Sequence, residues 1–207
     1  MKIGAPSYLR KSVSLALVTL LVATLAACTG HGGGQLPAAS PEFTGPATFG
    51  FNFSCERSSK STNLHPQTGQ LRLQLSYADH GSNPLGSRFS IHAVPDPIDP
   101  ILESAICIGQ NPPPVETELI LMGRFQLTGP APAGFPTSCP TRETPTTPLC
   151  RFEVIVRDNG QGNAGSADYF SIRLSTSTEG TYTELPAETV FYERAGLVEG
   201  GNITIGS

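Results

Sequence analysis

The chain has 207 residues, of which 38% are hydrophobic and 14% charged, with 22 glycines, 19 prolines and no tryptophan. Three of its 13 basic residues (Lys2, Arg10 and Lys11) lie at the extreme N-terminus, so the remainder sets 10 basic against 17 acidic residues, a net charge of −7. Without a basic cluster there is no footprint for a nucleic-acid phosphate backbone and no electrostatic pull toward anionic lipid.

The cationic start leads into an apolar run from Val13 to Ala27. This run is shorter than the roughly 20 residues a membrane-spanning helix needs. Its small residues at the end suit a signal peptidase. Residues 1–27 are therefore expected to be a cleaved signal peptide. The run closes on Leu25-Ala26-Ala27-Cys28, which resembles the lipobox of bacterial lipoproteins. That resemblance implies cleavage before Cys28, diacylglycerol modification of this cysteine and export to a bacterial membrane surface. Burial of acyl methylenes contributes about 0.8 kcal/mol each, and more than one chain gives stable attachment. Thr29 rather than an aspartate follows the cysteine, which in Gram-negative lipoproteins points to the outer membrane.

Residues 28–46 contain Thr29-Gly30-His31-Gly32-Gly33-Gly34 followed by a Pro/Ala/Ser stretch. Their composition predicts a flexible tether with an end-to-end distance of about 20–25 Å. His31 is read there as a solvated linker residue. Strand patterning starts after it. Phe49, Phe51 and Phe53 alternate with Gly50, Asn52 and Ser54, and Leu71, Leu73, Leu75 and Tyr77 alternate with polar residues. Such period-two faces predict half-buried strands. Phe89–Ala93, Ile101–Ile108 and Glu118–Leu127 read the same way, interrupted by a proline segment at 95–100 that cannot donate to a ladder. Residues 130–149 form a Pro/Thr-rich insertion. Phe152, Val154 and Val156 then pair in pattern with Phe170, Ile172 and Leu174 across a Gly/Asn-rich turn. Thr181–Thr183, Val190–Tyr192 and 201–205 complete the series. Short strands with turn-rich connections predict an all-β fold, a single antiparallel β-sandwich or barrel-like domain over residues 47–207.

Setting Cys28 aside leaves Cys55, Cys107, Cys139 and Cys150. An even count in an exported chain predicts two disulfides in one of three connectivities. The favoured set is Cys139–Cys150, which closes the insertion and stabilises by about 2–3 kcal/mol, with Cys55–Cys107 by elimination. Zinc is disfavoured because no C-x₂-C or closely spaced His–Cys group occurs.

Several turns and strand faces, namely Gly69-Gln70-Leu71, Tyr77-Ala78-Asp79-His80-Gly81, Phe152-Glu153-Val154, Asp158-Asn159-Gly160, Asp168-Tyr169-Phe170-Ser171-Ile172 and Gly200-Gly201-Asn202-Ile203, together resemble the post-COAP domain of bacterial exported proteins. The resemblance spans roughly residues 47–205 and departs from the pattern in the insertion and the cysteines. It implies a small extracellular β domain without an assigned reaction.

Among candidate sites, Asp158 and Asp168 flank a loop with enough oxygen donors to consider calcium. The loop lacks EF-hand spacing, and a glycine-rich hairpin whose Asp and Asn bond their own backbone is the favoured reading. Asp79 and His80 are adjacent, hence on opposite faces of a strand, and His92 is read as a wall residue. No G-x-S-x-G or H-E-x-x-H occurs, so no catalytic residue and no cofactor are assigned. Tyr169, Tyr182 and Tyr192 are candidate stacking faces for a sugar. The functional expectation is a non-catalytic, lipid-anchored cell-envelope protein with a structural or adhesive role, acting through exposed strand edges or Pro-rich loops. The alternative is a glycan-binding module, with a hydrolase behind it.

Overall fold

The computed structural model describes residues 28–56, 70–94, 105–108, 118–142, 144, 147–160, 167–178 and 185–206. For 28–29, 54–56, 70–73, 94, 105–108, 119 and 206 it describes the backbone alone. The leader at 1–27, the proline segment at 95–100 and Tyr182 lie outside the described residues.

The chain is all-β, with ten strands among the described residues: β1 (Cys28–Leu36), β2 (Ala47–Glu56), β3 (Gln70–Asp79), β4 (Phe89–Val94), β5 (Ala105–Ile108), β6 (Glu118–Leu127), β7 (Arg151–Arg157), β8 (Tyr169–Ser175), β9 (Val190–Leu197) and β10 (Glu199–Gly206). They form one sheet in the order β10-β1-β2-β3-β4-β6-β7-β8-β9, with β5 lying between β3 and β6 beyond the end of β4. Each pairing is antiparallel. The two outermost members of this order, β9 and β10, are successive in the chain with only Val198 between them. They act as one long bent strand whose first half pairs with β8 and whose second half pairs with β1. The sheet thereby comes nearly to closure as an up-and-down barrel. Gly200 sits just past the bend with a φ of +59°, a conformation that side-chain-bearing residues rarely adopt.

Inward positions follow the period of two. Phe49, Phe51 and Phe53 on β2, Leu75 and Tyr77 on β3, Phe152, Val154 and Val156 on β7, and Phe170, Ile172 and Leu174 on β8 are all buried. Phe49 stacks on Phe170 with ring centroids 3.9 Å apart, and Phe51 stacks on Phe53 at 5.8 Å. A barrel of this size has an interior just wide enough for its own side chains, and here rings fill it.

Within the tether expected at 28–46, residues Cys28–Leu36 form strand β1. Its register sets Gly30 opposite Phe53, Gly32 opposite Phe51 and Gly34 opposite Phe49. A Cβ on Gly32 would stand 3.0 Å from the Phe51 ring and 2.8 Å from the Asn202 carbonyl oxygen. The rings of β2 occupy the volume that β1 side chains would take, an instance of aromatic residues covering cross-strand glycines. Glycine content read as chain flexibility is here a packing requirement. His31 occupies an exposed outward position of the same strand.

The insertion is ordered around the disulfide Cys139–Cys150, whose Cα atoms are 5.5 Å apart. It folds back on the barrel, placing Phe135 edge-on to Phe125 and Phe191 and bonding the Gly134 N–H to the Leu85 carbonyl at 3.0 Å. Leu85 and Phe135 join the main core, so this segment covers part of the barrel end. On the outer wall beneath it, Arg124 is buried and donates to the carbonyls of Leu149 at 2.5 Å and Thr178 at 3.0 Å.

Candidate functional site

Among the described residues, two of the polar regions that stand apart from the apolar filling bear on a functional site. The first is internal. Arg194 on β9 donates to Asp79 Oδ2 at 2.8 Å and to the carbonyls of Pro37 and Gly45, each at 2.8 Å. Tyr192 donates to the same Asp79 oxygen at 2.7 Å, and Tyr77 lies 2.5 Å from the Tyr192 hydroxyl. Since the single proton of Tyr192 goes to Asp79, Tyr77 donates to Tyr192. Asp79 Oδ1 accepts the Gly81 N–H at 3.1 Å, and the Arg194 guanidinium lies over the Phe43 ring at 4.8 Å. Burial pushes both tyrosine hydroxyls well above their usual range. Asp79, Tyr192 and Arg194 are each no more than 2% exposed, so this cluster ties β3, β9 and the segment 37–45 together from within.

The second region is external and is the candidate site. The outward positions of β2, β3, β4 and β6 align in straight cross-strand rows. Gly50 lies opposite Ser76, Ser76 opposite His92, and His92 opposite Gln126. One row over, Thr48 pairs with Ala78 and Ala78 with Ser90. On the other side Asn52 pairs with Gln74. A shallow open depression of about 560 Å³ lies over Gly50, Asn52, Gln74, Ser76 and His92. It shares His92 with a second, of about 460 Å³, that reaches Gln126, Thr128 and Arg142. Pro130, Ala131, Thr141 and Arg142 of the insertion bound this end beside Thr128. The chemistry on offer is amide, hydroxyl and imidazole. Gln126 Nε2 donates to His92 Nε2 at 2.9 Å, and Thr48 Oγ1 lies 2.8 Å from His80 Nε2. Small residues at Gly50, Ser76 and Ala78 make the face concave, since taller neighbours flank them.

The sequence-derived candidates separate as follows. Asp79 points inward and His80 outward, as strand alternation requires. His92 is half-buried on the outer face, a wall residue of the depression. Asp158 and Asp168 use their carboxylate oxygens on backbone: Asp168 accepts the N–H groups of Asn159 at 3.0 Å and Ile203 at 2.6 Å, and Asp158 those of Gly160 and Ile205, each at 3.0 Å. They join the β7–β8 hairpin to β10. Among the described residues no group of three His, Cys, Asp or Glu side chains converges. Tyr192, a candidate stacking face, is buried in the core and therefore offers none. Tyr169 is half-buried beneath the Arg157 guanidinium, 4.8 Å from its centroid. The outer polar row was missed as a site by sequence reasoning. Its only signal is the run of small and polar residues at alternate positions of β2, β3 and β4.

Cys55 faces Leu71, which faces Ala105. Strand β3 thus stands between Cys55 and the strand carrying Cys107. Two strand spacings amount to about 10 Å, more than the roughly 7 Å that a disulfide spans. The register does not favour a Cys55–Cys107 bridge. Cys28 is the first residue of β1.

Among the described residues no helix is long and apolar enough to cross a membrane. The outward positions of β2, β3 and β4 include Thr48, Asn52, Gln74, Ser76 and His92. Compared with known protein families, curated proteins and solved structures, the chain matches none.

Proposed function

We propose that this protein is an exported, lipid-anchored component of a bacterial cell envelope with a non-catalytic, structural or interaction role. Among the described residues the barrel interior is filled by rings, aliphatic side chains and the mutually bonded Asp79–Tyr192–Arg194 cluster, and the outer face of β2, β3, β4 and β6 carries a row of polar groups able to meet a partner. That face is the observation that carries the reading. The bent β9–β10 strand brings the two ends of the sheet together, and Asp168 and Asp158 occupy N–H groups on the outer edge of β10, which supports partner contact through side chains or the Pro-rich loops over contact by strand addition. The lipobox-like Leu25-Ala26-Ala27-Cys28 supports acylation at Cys28. With Cys28 opening β1, an acyl group on that residue would leave no spacer between the membrane and the first strand. The resemblance to post-COAP domains agrees with an extracellular β module.

A glycan-binding module is the second reading, favoured by the depression over Asn52, Gln74, Ser76 and His92, whose amides and hydroxyls match a polyol. Two measurements test the pair. Cys28→Ala is expected to release the protein from membranes or leave it unprocessed; unchanged partition and processing would end the anchor reading. A glycan array probed with the purified protein and with Asn52→Ala/Gln74→Ala separates the roles. Reproducible binding lost in the double variant supports the glycan module, and no binding above background leaves the protein-partner role.

A further inference from the structure

The register of β1 on β2 runs unbroken from Leu36 opposite Ala47 to Cys28 opposite Cys55. The two cysteines therefore continue the row formed by Gly34 and Phe49, Gly32 and Phe51, and Gly30 and Phe53, and they share one face of the sheet. Directly opposed residues on antiparallel strands have Cα atoms about 4.5–5.5 Å apart, inside the 4.4–6.8 Å that disulfides use. Cys107, by contrast, is on β5, with β3 between it and β2. Cysteine arithmetic that assigns Cys28 to lipid alone leaves Cys55 with a partner the register does not favour.

We propose that Cys28 and Cys55 form a cross-strand disulfide in every molecule whose Cys28 carries no acyl group. The inference rests on strand register and is independent of the anchor reading, although both concern the same sulfur. The step is a two-electron oxidation by thiol–disulfide exchange. A small disulfide such as oxidised glutathione is attacked by one cysteine thiolate, giving a mixed disulfide and releasing one reduced glutathione. The second cysteine thiolate then displaces the other glutathione. Two thiols become one S–S bond, and the two protons leave with the two glutathione thiols or to solvent. A thioether to diacylglycerol removes the Cys28 thiol and blocks the reaction, so anchor and cross-link are mutually exclusive in any one molecule.

Such a bridge would close the barrel wall where β1 begins, fastening a strand that carries four glycines to its neighbour. It would also leave Cys107 out of the cross-linked set, since Cys139 and Cys150 pair with each other.

The full 207-residue chain, synthesised in a membrane-free translation mixture buffered with oxidised and reduced glutathione, tests the proposal because no acyl donor is present. Free thiols are blocked with N-ethylmaleimide, and the unreduced digest is analysed by mass spectrometry. The expected result is a peptide joining Cys28 to Cys55 that disappears on reduction, in both the wild-type chain and Cys107→Ser. A Cys55–Cys107 link, a Cys28–Cys107 link, or Cys55 recovered as the maleimide adduct overturns the proposal. Incorporation of a palmitate analogue by the chain in bacterial cells reads the anchor separately. Its absence would remove the lipid reading and leave the cross-link result standing.

Discussion

The carboxylate of Asp168 holds two backbone N–H groups from distant parts of the chain, Asn159 after β7 and Ile203 in β10, and is itself 7% exposed. Strand β10 pairs with β1 on one side, and the Ile203 and Ile205 N–H groups that turn away from β1 would lack acceptors without Asp168 and Asp158. A buried donor left unsatisfied costs about 1–3 kcal/mol. Asp168→Ala is therefore expected to lower stability by about 2–4 kcal/mol in urea unfolding, with Asp168→Asn less damaging because it retains one acceptor oxygen. A change in the midpoint too small to measure would show that water replaces the carboxylate. The residue type was legible in the sequence, and so was its place in a turn. The partner was not, because Ile203 is 35 residues away and is brought near only by barrel closure.

At the scale of the element, β1 is the part most changed by seeing the tertiary structure. Its sequence has four glycines in nine residues, a composition that taken alone argues for a coil. As an isolated segment it has little strand propensity. What orders it is a neighbour on each side, β10 and β2, and the Phe rings that lie across its inward glycines. This predicts opposite outcomes for two alanine substitutions. At Gly32 a Cβ meets the Phe51 ring and the Asn202 carbonyl at 3.0 Å or less, and overpacking of this kind typically costs about 1–3 kcal/mol. At Gly50 it meets only Ser76 Oγ at 3.7 Å, an ordinary contact. Gly32→Ala should therefore lower the melting temperature by several degrees, while Gly50→Ala should stay near the wild type. Equal melting temperatures would mean that residues 28–36 are a tether after all. The long strands β2, β3, β6, β7 and β8 were readable in advance, because each carries its own alternation and needs no partner to declare it.

For the whole molecule, the internal cluster links pH to unfolding. Tyrosines in an unfolded chain ionise near pH 10, whereas desolvation raises Tyr77 and, with help from Tyr77 itself, Tyr192 above that value in the fold. Above pH 10 the unfolded state thus binds fewer protons than the folded one, and stability falls as pH rises. Arg124 works in the other direction. Burial, and after it Arg151, lowers its pKa to about 10, so the folded state releases this proton first and gains stability between about pH 10 and the usual arginine range. Two tyrosines outweigh one arginine, and net alkaline unfolding is expected above pH 10. Tyrosinate absorbance from Tyr77 and Tyr192 should rise together with loss of the β-sheet circular dichroism signal. Tyr77→Phe/Tyr192→Phe should weaken the pH dependence; an unchanged alkaline midpoint in that variant would sink the assignment.

The sequence by itself determined the all-β class, the alternation that turns Phe, Leu and Val inward and the cysteine pair of the insertion, because each is written in residues a few positions apart. Only the tertiary structure decided that the sheet comes nearly to closure as a barrel, that the glycines after Cys28 form a wall strand, that Tyr192 is core and not a binding face, and that Cys28 stands opposite Cys55. Those facts depend on which strand becomes whose neighbour. Closure brings together segments more than 100 residues apart, as Arg194 and Asp79 are, and local periodicity carries no information about pairing at that range. The outer polar face belongs to the same category, since its rows exist only once β2, β3, β4 and β6 lie side by side.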